Sequence, residues 1–344
     1  MLYIHHTSCI SPQQTFGDVD IEHLHTSDNN QLHVIEPAYK NIPPGVLRRM
    51  SRNVKIGIVA ALPLLQETKV DGIIIGTANG GMEESIRFLN QVIEYDEGLL
   101  TPGDFVQSTA NAVASQISLK TANKAYNTTH VHRGFSFENA LLDAAMLVKE
   151  NPGQNFLVGG VDVISQYNHN IDTLANCYKD ELISSDDLYN ANTKGTIAGE
   201  GAAMFIVSDA KENAIAKIEA VEMCNTKDAA TVKQQLDLFL KKYFQEGEPY
   251  LLLSGEEGDI RSLEYYNACE SLINDDITVA RFKHMTGDYA TVSAIAVWLA
   301  CYILQNKALP KHIIKHENCV KSFRKILVYN TYRRSQHSFF IVSI

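Results

Sequence analysis

The chain has 344 residues, 45% of them apolar, enough to bury one large core or two packed halves, which excludes a disordered protein. Its net charge of −10 argues against a nucleic-acid partner, because phosphate binding draws on a basic surface. Six cysteines, at positions 9, 177, 224, 269, 301 and 319, show no CxxC pairing, so they read as reduced structural thiols, and neither a metal nor another cofactor is expected.

The opening MLYIHHTSCI reads as a strand and lacks the basic region of a signal peptide, and no apolar run has the length of a membrane span. A cytoplasmic location is therefore expected. After a polar, irregular stretch, IPPGVLRRMSRNVKIGIVAALPLLQET predicts a helix, with Ser51 as N-cap, Val54, Ile58, Val59, Leu62 and Leu65 on one face, and Pro63 kinking its end. Arg48, Arg49, Arg52 and Lys55 form the densest basic cluster in the chain, whose plainest role is a solvated helix face. VDGIIIG is a buried strand, and the GTANGG turn after it has neither the GxGxxG spacing nor a Walker lysine, so no phosphate site is expected. A helix from Met82 to Glu94 follows.

The stretch from Thr101 to Leu119 predicts one amphipathic helix that buries Phe105, Val106, Ala110, Val113, Ala114 and Ile117. Then come a strand-like AYNTTHV, the turn HRG, a helix FSFENALLDAAMLV and the buried strand FLVGGVD, which together make an α/β unit. A polar stretch separates this unit from GTIAGEGAAMFIVSD, in which Glu200 reads as a structural hydrogen-bonding carboxylate. The remainder alternates strands and helices again and closes on KILVYN and SFFIVSI.

The run TPGDF…NAVASQISL, the sharp turn, FENALLDA and LVGGVD, together with RRMSR and GEGA, resemble β-ketoacyl synthases. The resemblance implies an α/β thiolase-like fold, with similar halves at 1–210 and 211–344 layered α-β-α-β-α around mixed five-stranded sheets. It also implies a nucleophilic Cys at the turn before the second helix and two His that bind the malonyl thioester carbonyl. Counting back from Gly159 and Gly160 puts the nucleophile on Gly134, and no Cys lies between His130 and Glu138. The first His position falls on Ser254 or Gly255. The second falls on Asp288, in a segment that keeps Lys283 and Gly287; His284, four positions early, should point elsewhere on a tight turn, with a role as substitute ligand of the carbonyl as the alternative. In place of the family's glycine-rich loop stand Asn330 to His337, where Tyr332, Arg333 and His337 should narrow the pocket.

Three departures and an altered loop together imply a site not used for condensation. Such chains resemble chain-length-factor subunits, and HRGFSFENALLDA and YNTYRRSQHSF look most like the ketosynthase-like proteins of aryl-polyene and flexirubin pigment clusters. The leading expectation is a non-catalytic subunit that pairs with an active ketosynthase, or with its own copy, through the strand Lys124 to Thr129, and shapes the acyl tunnel. Asn127, His130, His132, Arg133 and Phe135 would then face the interface or tunnel, though both histidines equally suit plain hydrogen bonding in a turn. Arg48, Arg49, Arg52 and Lys55 would dock an acyl carrier protein. One alternative is an acyl-transferring enzyme with Ser136 as nucleophile, flanked by His132 and Glu138; another is an acyl-chain binding protein.

Overall fold

A computed structural model of the chain describes residues 1–39, 42–274, 276–317 and 322–344, so Cys319 lies outside the described residues. The first set of elements is β1 (Leu2–Ile10), α1 (Arg52–Glu67), β2 (Gly72–Gly76), α2 (Met82–Glu94), α3 (Ala112–Thr121), β3 (Tyr126–His130), α4 (Ser136–Glu150), β4 (Phe156–Asp162) and β5 (Gly201–Ser208). The second is β6 (Ala216–Asn225), α5 (Ala229–Tyr243), β7 (Leu251–Ser254), α6 (Leu263–Glu270), β8 (Thr278–Arg281), α7 (Ser293–Asn306), β9 (Ile314–His316), β10 (Lys325–Tyr332) and β11 (Gln336–Ser343).

The two sets repeat one pattern of pairing. Strands β3, β2 and β4 are parallel neighbours, and β5 and β1 continue the row antiparallel. Likewise β8, β7 and β10 are parallel, and β11 and β6 continue antiparallel. The expected separate five-stranded sheets are corrected in one respect. The first residues of β1 also pair with β6, from Leu2 opposite Ile218 to Ile4 opposite Ala216, and β9 adds to β8, so the described residues form one continuous eleven-stranded sheet. Long β1 bridges the halves because its two edges pair over different parts of its length.

Side-chain alternation along the strands builds the layers. On β2, Ile73 and Ile75 pack with Val54, Ile58 and Ile117 of α1 and α3, while Ile74 points the other way, into a cluster with Phe137 and Leu141 of α4. On β10, Ile326 and Val328 join that same cluster, while Leu327 and Tyr329 pack with Leu236 and Phe239 of α5 and Tyr265 of α6. Helices α4 and α7 therefore lie between the two halves of the sheet. Helix α7 is apolar almost all round, from Ala294 to Leu304, as its position between two sheet faces demands.

Local signals work where they depend on neighbours in sequence. The Ser51 hydroxyl caps α1 by accepting from the Val54 N–H at 3.3 Å, although the helix runs on past Pro63 to Glu67. The long helix expected from Thr101 is instead broken at Ser108 to Asn111, between a short Pro102–Gln107 helix and α3. Phe105 and Val106 are consequently exposed, whereas Val113, Ala114 and Ile117 enter the core. Among the described residues no helix is long and apolar enough to cross a membrane, and no group of three or more His, Cys, Asp or Glu side chains is placed to hold a metal. Cys9, Cys177, Cys224, Cys269 and Cys301 are free thiols.

Candidate functional site

The chain leaves β3 at His130 and enters α4 through a tight elbow. Arg133 takes the left-handed conformation there, at φ 52°, a strain of about 1 kcal/mol for a side chain with a Cβ. The elbow is pinned from inside: the Ser136 hydroxyl donates to the Arg133 carbonyl and accepts from the His132 N–H, both at 2.8 Å. The Gly134 N–H donates to Gln336 Oε1 at 2.9 Å. Gly134 is also where the elbow meets the β10–β11 hairpin, for a Cβ there would overlap that of Tyr332. Gly76, at the end of β2, is required because the backbone of Ser136 and Phe137 passes where its Cβ would be.

In the second half, fully buried Lys283 forms an ion pair with half-buried Asp288. Two buried carboxyls lie within reach of that lysine's charge. Burial pushes Glu138 up to about 7 against a 2.9 Å hydrogen bond from Ser338, and its Oε2 has no partner. Burial likewise pushes Glu257 up to about 7, although Lys283 opposes the shift and Tyr266 donates to it at 2.6 Å. Ser254, at the end of β7, is buried with its hydroxyl unpartnered.

Asp288 borders a cavity of about 40 Å³, together with Asp162, Asp172, Tyr332 and Arg333. That is room for a few water molecules and not for an acyl chain. Asp162 accepts from the Thr77 and Thr291 hydroxyls at 2.8 and 2.9 Å and from the Asn79 N–H at 2.9 Å, which fixes the turn after β2. Arg333, also left-handed, is held by Asp172, and its Nε donates to the Tyr332 hydroxyl at 3.0 Å.

Several expected site residues stand elsewhere. Ser136 is fully buried with its hydroxyl committed to the elbow backbone, and His132 is exposed, so the two make no catalytic pair. His284 does not reach the cavity: its Nε2 meets His312 Nδ1 at 3.0 Å and its Nδ1 meets the Tyr189 hydroxyl at 3.3 Å. Burial, helped by His312 and Arg281, pushes it down to about 3. His337 faces the outer core, where it meets the Tyr329 hydroxyl at 3.0 Å, because strand alternation sends it away from the elbow. Lys283 is enclosed by its ion pair and lines no open pocket. His130 pairs with Asp143 at 2.9 Å, and Asn127 binds the Ala114 carbonyl at 2.9 Å, both half-buried beside the open edge of β3. Phe135 is buried against the His132 ring.

The basic cluster also divides. Arg52 binds Glu36 at 2.8 Å and grips buried Glu200, which further accepts the Val34 and Ile164 N–H groups at 2.8 and 2.9 Å. Burial would raise the Glu200 carboxyl, but His33 and Arg52 outweigh it and hold it down to about 2. Arg52 is therefore committed to structural ion pairs on its buried side. Arg48 and Arg49 remain exposed and, with Val46, Met50, Pro102 and Val106, line a groove of about 690 Å³; Lys55 is half-buried outside it. Sequence reading missed Gln336, Asp172 and Glu257, since a polar residue's distant partner leaves no periodic trace.

The raised Glu138 has a testable consequence. The unfolded carboxyl ionises above about 4.5 while the folded one keeps its proton until about 7, so its contribution to stability is lost as pH rises through that window. Glu138→Gln should therefore gain about 2 to 3 kcal/mol over the wild type at pH 8 relative to pH 4. Urea midpoints that change equally with pH in both proteins would contradict the assignment.

Residues 24–182 match the family model of the β-ketoacyl synthase N-terminal domain. No curated protein sequence matches the chain. Among solved structures, the ishigamide ketosynthase/chain length factor is 18% identical, with a TM-score of 0.76 over 100% of this chain and 99% of that one. The AntDE:AntF complex, a type II polyketide carrier protein with its ketosynthase, is 12% identical, with a TM-score of 0.77 over 99% and 98% of the two chains. The ketosynthase ApeO in complex with its chain length factor ApeC, from Xenorhabdus doucetiae, is 13% identical, with a TM-score of 0.72 over 100% and 98%. At these identities the likeness carries the thiolase-like fold.

Proposed function

We propose, from the premise that this chain is a β-ketoacyl synthase-like protein of the thiolase-like fold, that it is a non-condensing subunit of chain-length-factor type. It pairs with an active ketosynthase in polyketide or fatty-acid-type synthesis, of the aryl-polyene or flexirubin kind, and shapes the acyl tunnel. One observation carries this reading. Where condensation would need a thiolate and two imidazoles, the elbow offers Arg133 and Gly134, and the positions that the resemblance gives to the imidazoles hold Ser254 and Asp288, the latter paired with Lys283.

The open edge of β3 supports pairing, flanked as it is by exposed Leu119 of α3, Val131, and Met146 of α4. In the second half the equivalent edge, that of β8, is already covered by β9. The rim of the groove at Arg48 and Arg49 suits an acidic carrier protein, since both side chains are exposed there on an otherwise acidic chain, while Glu84 and Asp104 lie elsewhere in the lining beside Arg87. The two alternatives fit less well. A Ser136 nucleophile lacks a free hydroxyl, and an acyl-binding role lacks room in the cavity.

Co-expression with a neighbouring ketosynthase tests the reading. The isolated chain should release no condensation product, and the pair should elute as one heterodimer and make polyene. Arg48→Glu with Arg49→Glu should lower product formation about tenfold through weaker carrier binding, with an unchanged melting point. Condensation by the isolated chain would overturn the proposal.

A further inference from the structure

We infer that the β10–β11 hairpin is a built-in plug of the elbow, in which the Gln336 side-chain amide sits on the Gly134 N–H where a thioester carbonyl would have to bind. This deepens the non-condensing reading and takes the position of the elbow from it. The site is closed by occupation as well as by the loss of reactive side chains.

Gln336 is 8% exposed, and its amide bridges the elbow: Oε1 accepts from Gly134 N at 2.9 Å, while Nε2 donates to the His132 carbonyl at 3.4 Å. An amide oxygen and a thioester oxygen are acceptors of similar size, and the amide is the stronger acceptor and is tethered in place. A free carbonyl ligand must therefore displace an intramolecular competitor. Tyr332, paired with Gln336 across the hairpin, completes the closure by packing directly over Gly134.

The hairpin is fastened in this position at both sides of its tip. Arg333 is tied to Asp172, and the Ser335 carbonyl accepts from the Thr226 N–H at 2.8 Å. Arg333 and Arg334 both adopt the left-handed conformation, at φ 51° and 56°, which fixes the tight turn and so the register that puts Tyr332 and Gln336 over the elbow.

Residue-resolved hydrogen exchange on the isolated full-length chain tests the cap without any partner, so its outcome is separate from that of ketosynthase pairing. The Gly134 N–H should exchange at least about tenfold more slowly than an unstructured amide, and Gln336→Met, which keeps the length without the acceptor, should remove that protection. Octanoyl-pantetheine amide is the carbonyl probe, followed by titration calorimetry up to about 1 mM. The wild type should bind none. The variant Tyr332→Ala with Gln336→Ala should bind it, and Tyr332→Ala with Gln336→Glu, which restores an acceptor, should not. Unprotected Gly134 in the wild type, probe binding by the wild type, or a folded double-alanine variant that binds nothing would each overturn the plug. Should the double variant fail to fold, the exchange rates of the wild type and Gln336→Met decide alone.

Discussion

Glu200→Ala should cost the protein about 3 to 5 kcal/mol, a large share of the roughly 5 to 15 kcal/mol that holds a domain together. The side chain is completely buried and answers four donors from separate segments: Arg52 at the start of α1, His33 and the Val34 N–H from the loop after β1, and the Ile164 N–H after β4. Removing it strands the two backbone N–H groups and leaves a partly buried guanidinium with only Glu36. Arg52→Glu should be comparably damaging, since it brings a third carboxylate against Glu36 and Glu200. Arg48→Glu, on an exposed side chain four residues before α1 begins, should change stability by about 0.5 kcal/mol or less. Calorimetry would register the first two as falls of about 5 °C in melting temperature. Equal melting points for Arg52→Glu and Arg48→Glu would show that the ion pair carries no such weight.

The second large effect concerns assembly. The His130 carbonyl accepts from the Thr77 N–H at 3.0 Å, so the backbone groups of His130 face β2. Alternation along the strand then turns the N–H and carbonyl of Thr129 to the open edge. Thr129→Pro should remove a donor that only a partner strand can use and weaken dimerisation by roughly a hundredfold, from about 3 kcal/mol of lost pairing and steric conflict. Within the chain it gives up one hydrogen bond, from the Thr129 hydroxyl to Asn111 at 2.7 Å, about 1 kcal/mol. Sedimentation should therefore show a folded monomer. A variant that remains dimeric at micromolar concentration would mean that assembly uses another face.

Much of the scaffold was legible from local pattern. Helix α2 has the expected bounds of Met82 and Glu94, and the last two strands emerge where KILVYN and SFFIVSI predicted them. The Thr101 helix was misread because periodicity registers apolar spacing and not the break at Ser108, where the hydroxyl turns back to the Phe105 carbonyl at 2.7 Å. His284 points away from the cavity, as its place four positions early on a tight turn predicts, but nothing in KHMTGD tells that its ring will meet His312.

By itself the sequence determined the alternation of strands and helices, the Ser51 cap, and the absence of a thiol between His130 and Glu138, because each of these depends on residue types and on neighbours a few positions apart. Tertiary structure alone decided the partners of the polar side chains. Arg52 finds Glu200 across 148 residues and forms a partly buried ion pair, and Gln336 finds Gly134 across 202 and accepts its N–H. The first distance closes within the first half, where α1 packs on β4 and β5, and the second only when the hairpin of the second half reaches the elbow before α4. A buried polar group must take whatever partner that packing brings within hydrogen-bond reach, and no local pattern records which one it will be.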